Sequence, residues 1–458
     1  MKYLIFIFIT SSLLACKATG QITSAQINNF LNDTAVRSGH VGISIYDPAS
    51  NQYLYTHNAE KNFLPSSNVK LFTLYAGMKY LGDSIIGLKY YSKNNAVIIL
   101  PTADPTLLHP NYKQQNVFNF LQKQNAVILS ATMCKDIWRA KQYGDGWSWN
   151  DYSDDYMAER SCFPIHNNMI AAQWVNNKMP TNNIFFNDIT NHLTITPSFF
   201  KNLFEPVDSV IRMPYIAVER TLGQASFTII AANEKFIAQD IPFKTSAYNS
   251  LAILQDSIGK LDTAKKVNFL YDKLTSYSND LPTLKSIYSQ ASDSLLRPMM
   301  HNSDNFFAEQ TLLMVSNEKL GFMSDELIID TLLQTDFKDL PQKPRWQDGS
   351  GLSRYNLFSP NDFIFLLVKM QKEFGMDRIK RILPTAGQGT LKGYYESAKG
   401  NIYAKTGSMS NNVSLSGYII TKKKRLLIFS VHINAFSGSG RAGRKAIEKM
   451  ILQIIENN

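Results

Sequence analysis

The 458-residue chain has little of what marks several large protein classes. It holds three cysteines, too few to staple a chain of this length, so a disulfide-rich scaffold is excluded. Charged residues make up only 18%, and no basic block is longer than Lys422-Lys423-Lys424-Arg425. The net charge of +10 therefore lacks the concentrated patch used to bind nucleic acid, and no nucleic acid partner is expected. No Gly-x-Ser-x-Gly turn occurs and the seven histidines fall in no recognisable motif, which removes support from a Ser-His-Asp hydrolase. Neither His-Glu-x-x-His nor a Cys/His spacing suited to zinc is present, so no metal and no cofactor are expected. Apolar material is what the chain does have: 44% hydrophobic and 12% aromatic residues exclude disorder and collagen-like repeats. At about 150 residues per domain, the length suits three domains or one elaborated fold.

Met1-Lys2 precedes a mostly apolar run, residues 3–15, broken by Thr10-Ser11-Ser12. A membrane-spanning helix takes about 20 apolar residues, so residues 1–15 read as a secretory signal. Leu13-Leu14-Ala15-Cys16 resembles a bacterial lipobox, in which Cys16 is lipidated and anchors the chain to a membrane. An ordinary signal peptide with a cysteine nearby is the alternative, and both lead to export into the cell envelope or periplasm. Cys134 and Cys162 then meet an oxidising compartment. They can close a disulfide loop of about 28 residues, worth roughly 3 kcal/mol by chain entropy, or stand as two buried thiols.

Periodicity divides the rest. Residues 22–31 read as a helix, and 41–47 and 52–57 alternate like paired strands across Pro48-Ala49-Ser50-Asn51. Pro65 precedes a helix over residues 68–81, with Leu71, Leu74, Tyr75, Met78 and Leu81 at helix spacing. From residue 84 to 284 the texture turns to short β-like runs, such as 96–100 and 193–196. Helices return at 294–300 and 306–316. Residues 402–406, 414–420 and 426–433 read as three successive strands, and 441–456 as a closing amphipathic helix. The economical arrangement is an α+β domain made of residues 16–83 and 285–458, interrupted by a β-rich insertion over 84–284.

Three motifs occur in order: Ser67-Asn68-Val69-Lys70, Ser303-Asp304-Asn305 and Lys405-Thr406-Gly407. Each is weak alone. Ser-x-x-Lys recurs at Ser198, Ser257 and Ser316, and Tyr277-Ser278-Asn279 rivals the second motif. Context separates them: Ser67 follows a proline and opens an apolar helix, with Lys70 on the same face. Ser303-Asp304-Asn305 runs into a second helix, and Lys405 ends a strand. The chemistry asks for these residue types. A serine hydroxyl needs a base within hydrogen-bond reach, and a lysine can serve only when neutral. With an ordinary pKa near 10.4 that fraction is about 10⁻³·⁴ at pH 7, so burial or a second cation, Lys405, must lower it. Ser303 can relay a proton to the leaving group, and Asn305 can hold Lys70 and a substrate amide. Thr406 and Ser408 offer hydroxyls to a substrate carboxylate, and the N–H groups of Ser67 and Ser408 suit an oxyanion hole.

The ordered trio is that of class A β-lactamases and penicillin-binding proteins. The chain as a whole resembles the class C low-molecular-mass penicillin-binding proteins, the D-alanyl-D-alanine carboxypeptidase/endopeptidase family related to penicillin-binding protein four. Beyond the trio, the likeness lies in residues 65–73, Ala103-Asp104-Pro105-Thr106-Leu107, the segments 146–151 and 348–354, and residues 383–391. It implies a serine β-lactamase/DD-peptidase-like fold, an antiparallel sheet flanked by helices and split by a large insertion. The separation of 236 positions from Ser67 to Ser303 suits such an insertion. It further implies an acyl-enzyme on Ser67, formed from D-Ala-D-Ala or D-Ala-diaminopimelate bonds of peptidoglycan stem peptides, with β-lactam inhibitors acylating the same serine. Asp151 and Arg354 would read the diaminopimelate side chain, while Trp147 and Trp149 are expected to pack. The alternatives are a serine β-lactamase and a non-catalytic peptidoglycan-binding lipoprotein. The first lacks a Glu-x-x-Leu-Asn deacylation motif after Ser67, and the complete trio argues against the second.

Overall fold

Strands from the two ends of the chain meet in one antiparallel sheet, ordered Ile402–Met409, Asn412–Ile420, Leu426–Asn434, His40–Asp47, Gln52–His57. The computed structural model describes residues 22, 24–93, 95–175, 184–185, 192–206, 210–211, 216–231, 238–261, 267–272 and 283–458. The leader 1–15, Cys16 and Tyr277-Ser278-Asn279 lie outside the described residues.

The sheet's alternation feeds two cores. Tyr418 and Ile428 point into one, while their neighbours Ile419, Leu427 and Phe429 point into the other. Both faces are thus covered, which is why these strands read as near-continuous apolar runs. One face is covered by the closing helix Gly440–Asn457, whose Ile447, Met450, Ile451, Ile454 and Ile455 form a buried stripe. Against the other face pack Lys70–Tyr80, Asn305–Leu320 and Pro360–Ile382. Phe72 anchors the first of these, its ring centroid 4.8–5.5 Å from those of Phe337, Trp346, Phe358 and Phe363. Such aromatic clusters add directional contacts to the area they bury, so the helix that carries Lys70 has a fixed seat.

Between the two parts of this domain the chain departs on strand Ser84–Lys93 and returns on Lys285–Ala291. These two strands pair antiparallel, and the Ser292 N–H donates to the Asp83 carbonyl at 2.9 Å. They belong to a second five-stranded sheet with Ala96–Pro101, Ala126–Ser130 and Asn268–Asp272. The insertion is strand-rich and has its own apolar core. It also carries helices that the β-like texture does not suggest, Asn116–Gln122, Ala131–Ile137 and Ala247–Leu261, and three of its described strand pairs are parallel.

Two readings of local structure need correction, and one pair of alternatives is decided. The expected helix over 68–81 starts as a 3₁₀ turn, Ser66–Val69, and turns α-helical at Lys70–Tyr80. The helix expected at 294–300 runs over Ser292–His301 with Pro298 inside it, and at its end the Pro298 carbonyl accepts from Asn302 N at 2.9 Å. Cys134 and Cys162 are free thiols and not a disulfide. The hydrogen bond between them and burial push the Cys134 thiol up, which keeps it protonated and unreactive.

Candidate active site

Pro65 leads into Ser66, which sits at φ +51°, and the backbone then tightens into the 3₁₀ turn Ser66–Val69. Residues three apart eclipse in that geometry. Ser67 and Lys70 therefore stand one above the other, with Lys70 Nζ 3.0 Å from Ser67 Oγ. The turn is fastened to the sheet: Ser414 Oγ donates to the Pro65 carbonyl at 2.8 Å and accepts from Asn68 Nδ2. Gly407 allows this approach, because a Cβ there would meet both Ser414 Oγ and the Pro65 carbonyl. That is a structural reason for glycine as the third residue of the Lys405 motif.

Lys70 is wholly buried, and two fixed acceptors besides Ser67 surround its Nζ: Asn305 Oδ1 at 2.7 Å and the Ser350 carbonyl at 2.7 Å. An ammonium would donate to all three. A neutral amine gives its two N–H bonds to Asn305 and Ser350 and turns its lone pair to Ser67. Burial pushes the Lys70 pKa down to about 8, against the opposing pull of Asp348, Glu309 and Asp304. Of the two means expected, burial and a second cation, burial is the one that lowers Lys70. Lys405 is itself held well below its ordinary value, by burial first and the Lys70 charge second.

The carbonyl offered by Ser350 depends on a buried ionic frame. Glu309, one helical turn beyond Asn305, accepts the Ser350 N–H at 2.7 Å. Arg160 from the insertion, 1% exposed, donates to Glu309 Oε2 at 2.9 and 2.6 Å and pairs with Asp325 at 2.7 Å. Asp348, also buried, accepts from Gly351 N, Ser353 N, Asn356 Nδ2 and Trp147 Nε1 at 2.6–2.9 Å. Burial, and then the Glu309 charge, push the Asp348 carboxyl up. Gly351, at φ +80°, passes so close to the Ser66 carbonyl that a Cβ there would overlap it.

Ser303, at φ +57°, precedes Asp304, whose carboxylate caps the helix by accepting from Phe307 N at 2.8 Å. Lys405 Nζ donates to Ser303 Oγ at 2.8 Å and to the Thr406 carbonyl at 2.7 Å. Asn305 reaches the other way as well, its Nδ2 donating to the Tyr156 carbonyl at 3.1 Å. Ser67, Asn305, Ser408, Asp151, Arg354 and Tyr156 line a cleft of about 290 Å³. Arg354 is exposed there, and its guanidinium makes no ion pair among the described residues. Thr406 does not line the cleft. It is buried and borders a smaller cavity beside Tyr395 and Ser414, so no hydroxyl is presented from that position.

Trp147 packs as expected, but Trp149 does not: its side chain is 77% exposed. Sequence reasoning missed Glu309, Arg160, Asp348 and Tyr156 as parts of the site. Glu309 carried a usable signal, an acidic residue in the apolar run 306–313 and four residues beyond Asn305. The carbonyls of Ser350 and Tyr156 had none, since any residue type could supply them.

A family model described as the D-Ala-D-Ala carboxypeptidase 3 (S13) family matches residues 23–457. D-alanyl-D-alanine carboxypeptidase DacB of Haemophilus influenzae is 23% identical over 455 residues, which cover 91% of this chain and 90% of that protein. A D-alanyl-D-alanine carboxypeptidase of Actinomadura sp. is 23% identical over 460 residues, 90% of this chain and 81% of that one. Among solved structures, penicillin binding protein 4 from Haemophilus influenzae superposes with a TM-score of 0.72 at 21% identity, covering 93% of this chain and 98% of that chain. The same protein in complex with a β-lactam gives 0.66 at 19% identity, with 94% and 99% covered. The α+β fold is thus of the serine β-lactamase/DD-peptidase kind.

The ionic frame makes one prediction. Arg160→Ala strands Glu309 and Asp325 as buried carboxylates without a counter-charge, and breaking such a pair costs about 3–5 kcal/mol. Equilibrium urea unfolding should show a loss of that size, and a change within about 0.5 kcal/mol, as at an ordinary surface site, would contradict the frame's role.

Proposed function

Since the chain belongs to the D-Ala-D-Ala carboxypeptidase 3 (S13) family, we propose that it is a serine DD-peptidase that cleaves D-Ala-D-Ala and D-Ala-diaminopimelate bonds of peptidoglycan. The observation that carries this reading is the buried Lys70 amine held between Ser67, Asn305 and the Ser350 carbonyl. Ser67 Oγ attacks the carbonyl carbon of the scissile bond while its proton passes to neutral Lys70. The N–H groups of Ser67 and Ser408 receive the oxyanion, the kind of contact often worth about 3 kcal/mol per donor. The C–N bond then breaks, and the proton reaches the leaving amine through Ser303, which Lys405 orients. Water releases the acyl group from Ser67. Ser408, exposed in the cleft, takes the role of carboxylate partner that Thr406 does not face.

Asp151 and Arg354 both border the cleft, which supports their reading the amine and carboxylate of a diaminopimelate side chain. A β-lactam would acylate the same serine, its strained carbonyl meeting the same nucleophile and base. Residues 1–15 direct export and Cys16 carries the lipid anchor, so the enzyme works at the cell envelope.

Penicillin treatment should add one acyl mass to the intact protein. Ser67→Ala should abolish both that adduct and the release of D-Ala from a pentapeptide; an unchanged adduct on Ser67→Ala would rule out the mechanism.

The rate of acylation should follow the neutral fraction of Lys70. With its pKa pushed down to about 8, deprotonation occurs on raising the pH. The rate should climb about tenfold per unit below pH 8 and level off above it. Stopped-flow acylation by a fluorescent penicillin from pH 6 to 9.5 measures this, and a flat profile would remove Lys70 as the base.

Labelled palmitate should enter the wild-type chain in a bacterial host and fail to enter Cys16→Ala. Equal labelling of both would refute the anchor.

A further inference from the structure

Beside the catalytic cleft lies a second cavity, of about 360 Å³, which the chemistry above leaves unused. Ser148 borders both. The short turn Trp149–Asp151 is the wall between them, with Asp151 lining the cleft and Trp149 lining the second cavity. The opposite rim is the turn joining strands Ile216–Arg220 and Phe227–Ala231, which carries Leu222, 65% exposed.

The floor of this cavity is closed to a charged ligand. Arg220, only 6% exposed, is ion-paired with Glu159 and donates to Tyr143 Oη at 2.6 Å. Glu159 also accepts from Tyr143 Oη at 2.9 Å and from Thr245 N at 2.9 Å. With those charges spent on one another, recognition falls to the rim. There stand the open indole of Trp149, Leu222, the exposed amide side chain of Gln142, and Lys244, whose ammonium has no partner among the described residues. A broad aromatic face ringed by amide and ammonium donors matches a pyranose. Such a ring offers C–H groups on its face and hydroxyl and acetamido oxygens around its edge. Peptide capture by strand addition needs an open strand edge, and this cavity is walled chiefly by loop and turn side chains.

We propose that the second cavity binds an N-acetylated pyranose of the glycan to which the stem peptide is attached. The inference rests on the DD-peptidase reading. The cavity adjoins the cleft at Ser148 and the Trp149–Asp151 turn, so the glycan-bearing end of a stem peptide held at Ser67 would reach it by passing that turn. The enzyme would then distinguish a glycan-borne stem peptide from a free one.

The test compares N-acetylglucosaminyl-N-acetylmuramyl-pentapeptide with the free pentapeptide as substrates of the full chain. Wild-type protein should favour the glycosylated substrate in kcat/KM. Trp149→Ala should lower that value about tenfold, chiefly through KM, and bring it close to the value for the free peptide. Leu222→Ser should act in the same direction. Both side chains are exposed, so neither change opens a void in the core. Equal losses on the two substrates, or no preference in the wild type, would overturn the proposal. A second readout is independent of turnover: the peptide-free disaccharide should change the tryptophan fluorescence of Ser67→Ala protein and not that of the Ser67→Ala, Trp149→Ala double variant. No response in either also overturns it. Failure to hydrolyse either substrate would strike the DD-peptidase reading instead, leaving the fluorescence titration to decide on the cavity.

Discussion

An amine kept out of water beside a serine is a costly arrangement, and much of the molecule exists to hold Lys70 in it. Burial lowers its proton affinity, but Asp348 and Glu309 close by pull the other way. Two carboxylates left free there would hold the lysine charged and useless as a base. Glu309 is instead engaged by Arg160, and Asp348 is wrapped in four hydrogen bonds. The carboxylates thus shape the loop 348–356, and their pull on the lysine is too weak to undo the effect of burial. Arg160 belongs to the insertion and Glu309 to the catalytic helix, so the ion pair that sets this balance also joins the two parts of the protein.

The site was legible in the sequence where it depends on spacing along one element. Ser67 and Lys70 are three apart, and Asn305 follows Ser303 at the mouth of a helix, so their neighbourhood could be read directly. It was not legible where it depends on which way a strand faces. Lys405 and Thr406 are adjacent in one motif, yet Lys405 reaches Ser303 while Thr406 looks into a different cavity. Contacts made over long separations left no local trace either. Arg160 and Glu309 lie 149 residues apart, and nothing in either segment names the other.

The fold shows the same division. The strands at 402–409, 412–420 and 426–434 announced themselves through alternation and a polar turn. Helices Asp325–Gln334 and Pro360–Ile382 passed unnoticed although the second opens with a capping box at Ser359 and Asp362 and a proline in its first turn. Those signals were present and unused. The 3₁₀ start at Ser66 was different in kind, because the positive φ there is imposed by the close passage of Gly351 and the docking on Ser414, which only the assembled protein supplies.

The catalytic sheet also fixes an order of events in the life of the chain. Strand His40–Asp47 has Leu426–Asn434 as a neighbour, and Lys405 follows Lys70 by 335 residues. Synthesis from the N-terminus delivers Ser67 early and the last three of its sheet's five strands late. Until the final strands arrive, Ser67 has no Ser408 beside it in the cleft and no Ser414 on which its turn can dock. A chain that lacks its last strands therefore lacks Lys405, Ser408 and the Ser414 seat of the Ser67 turn all at once.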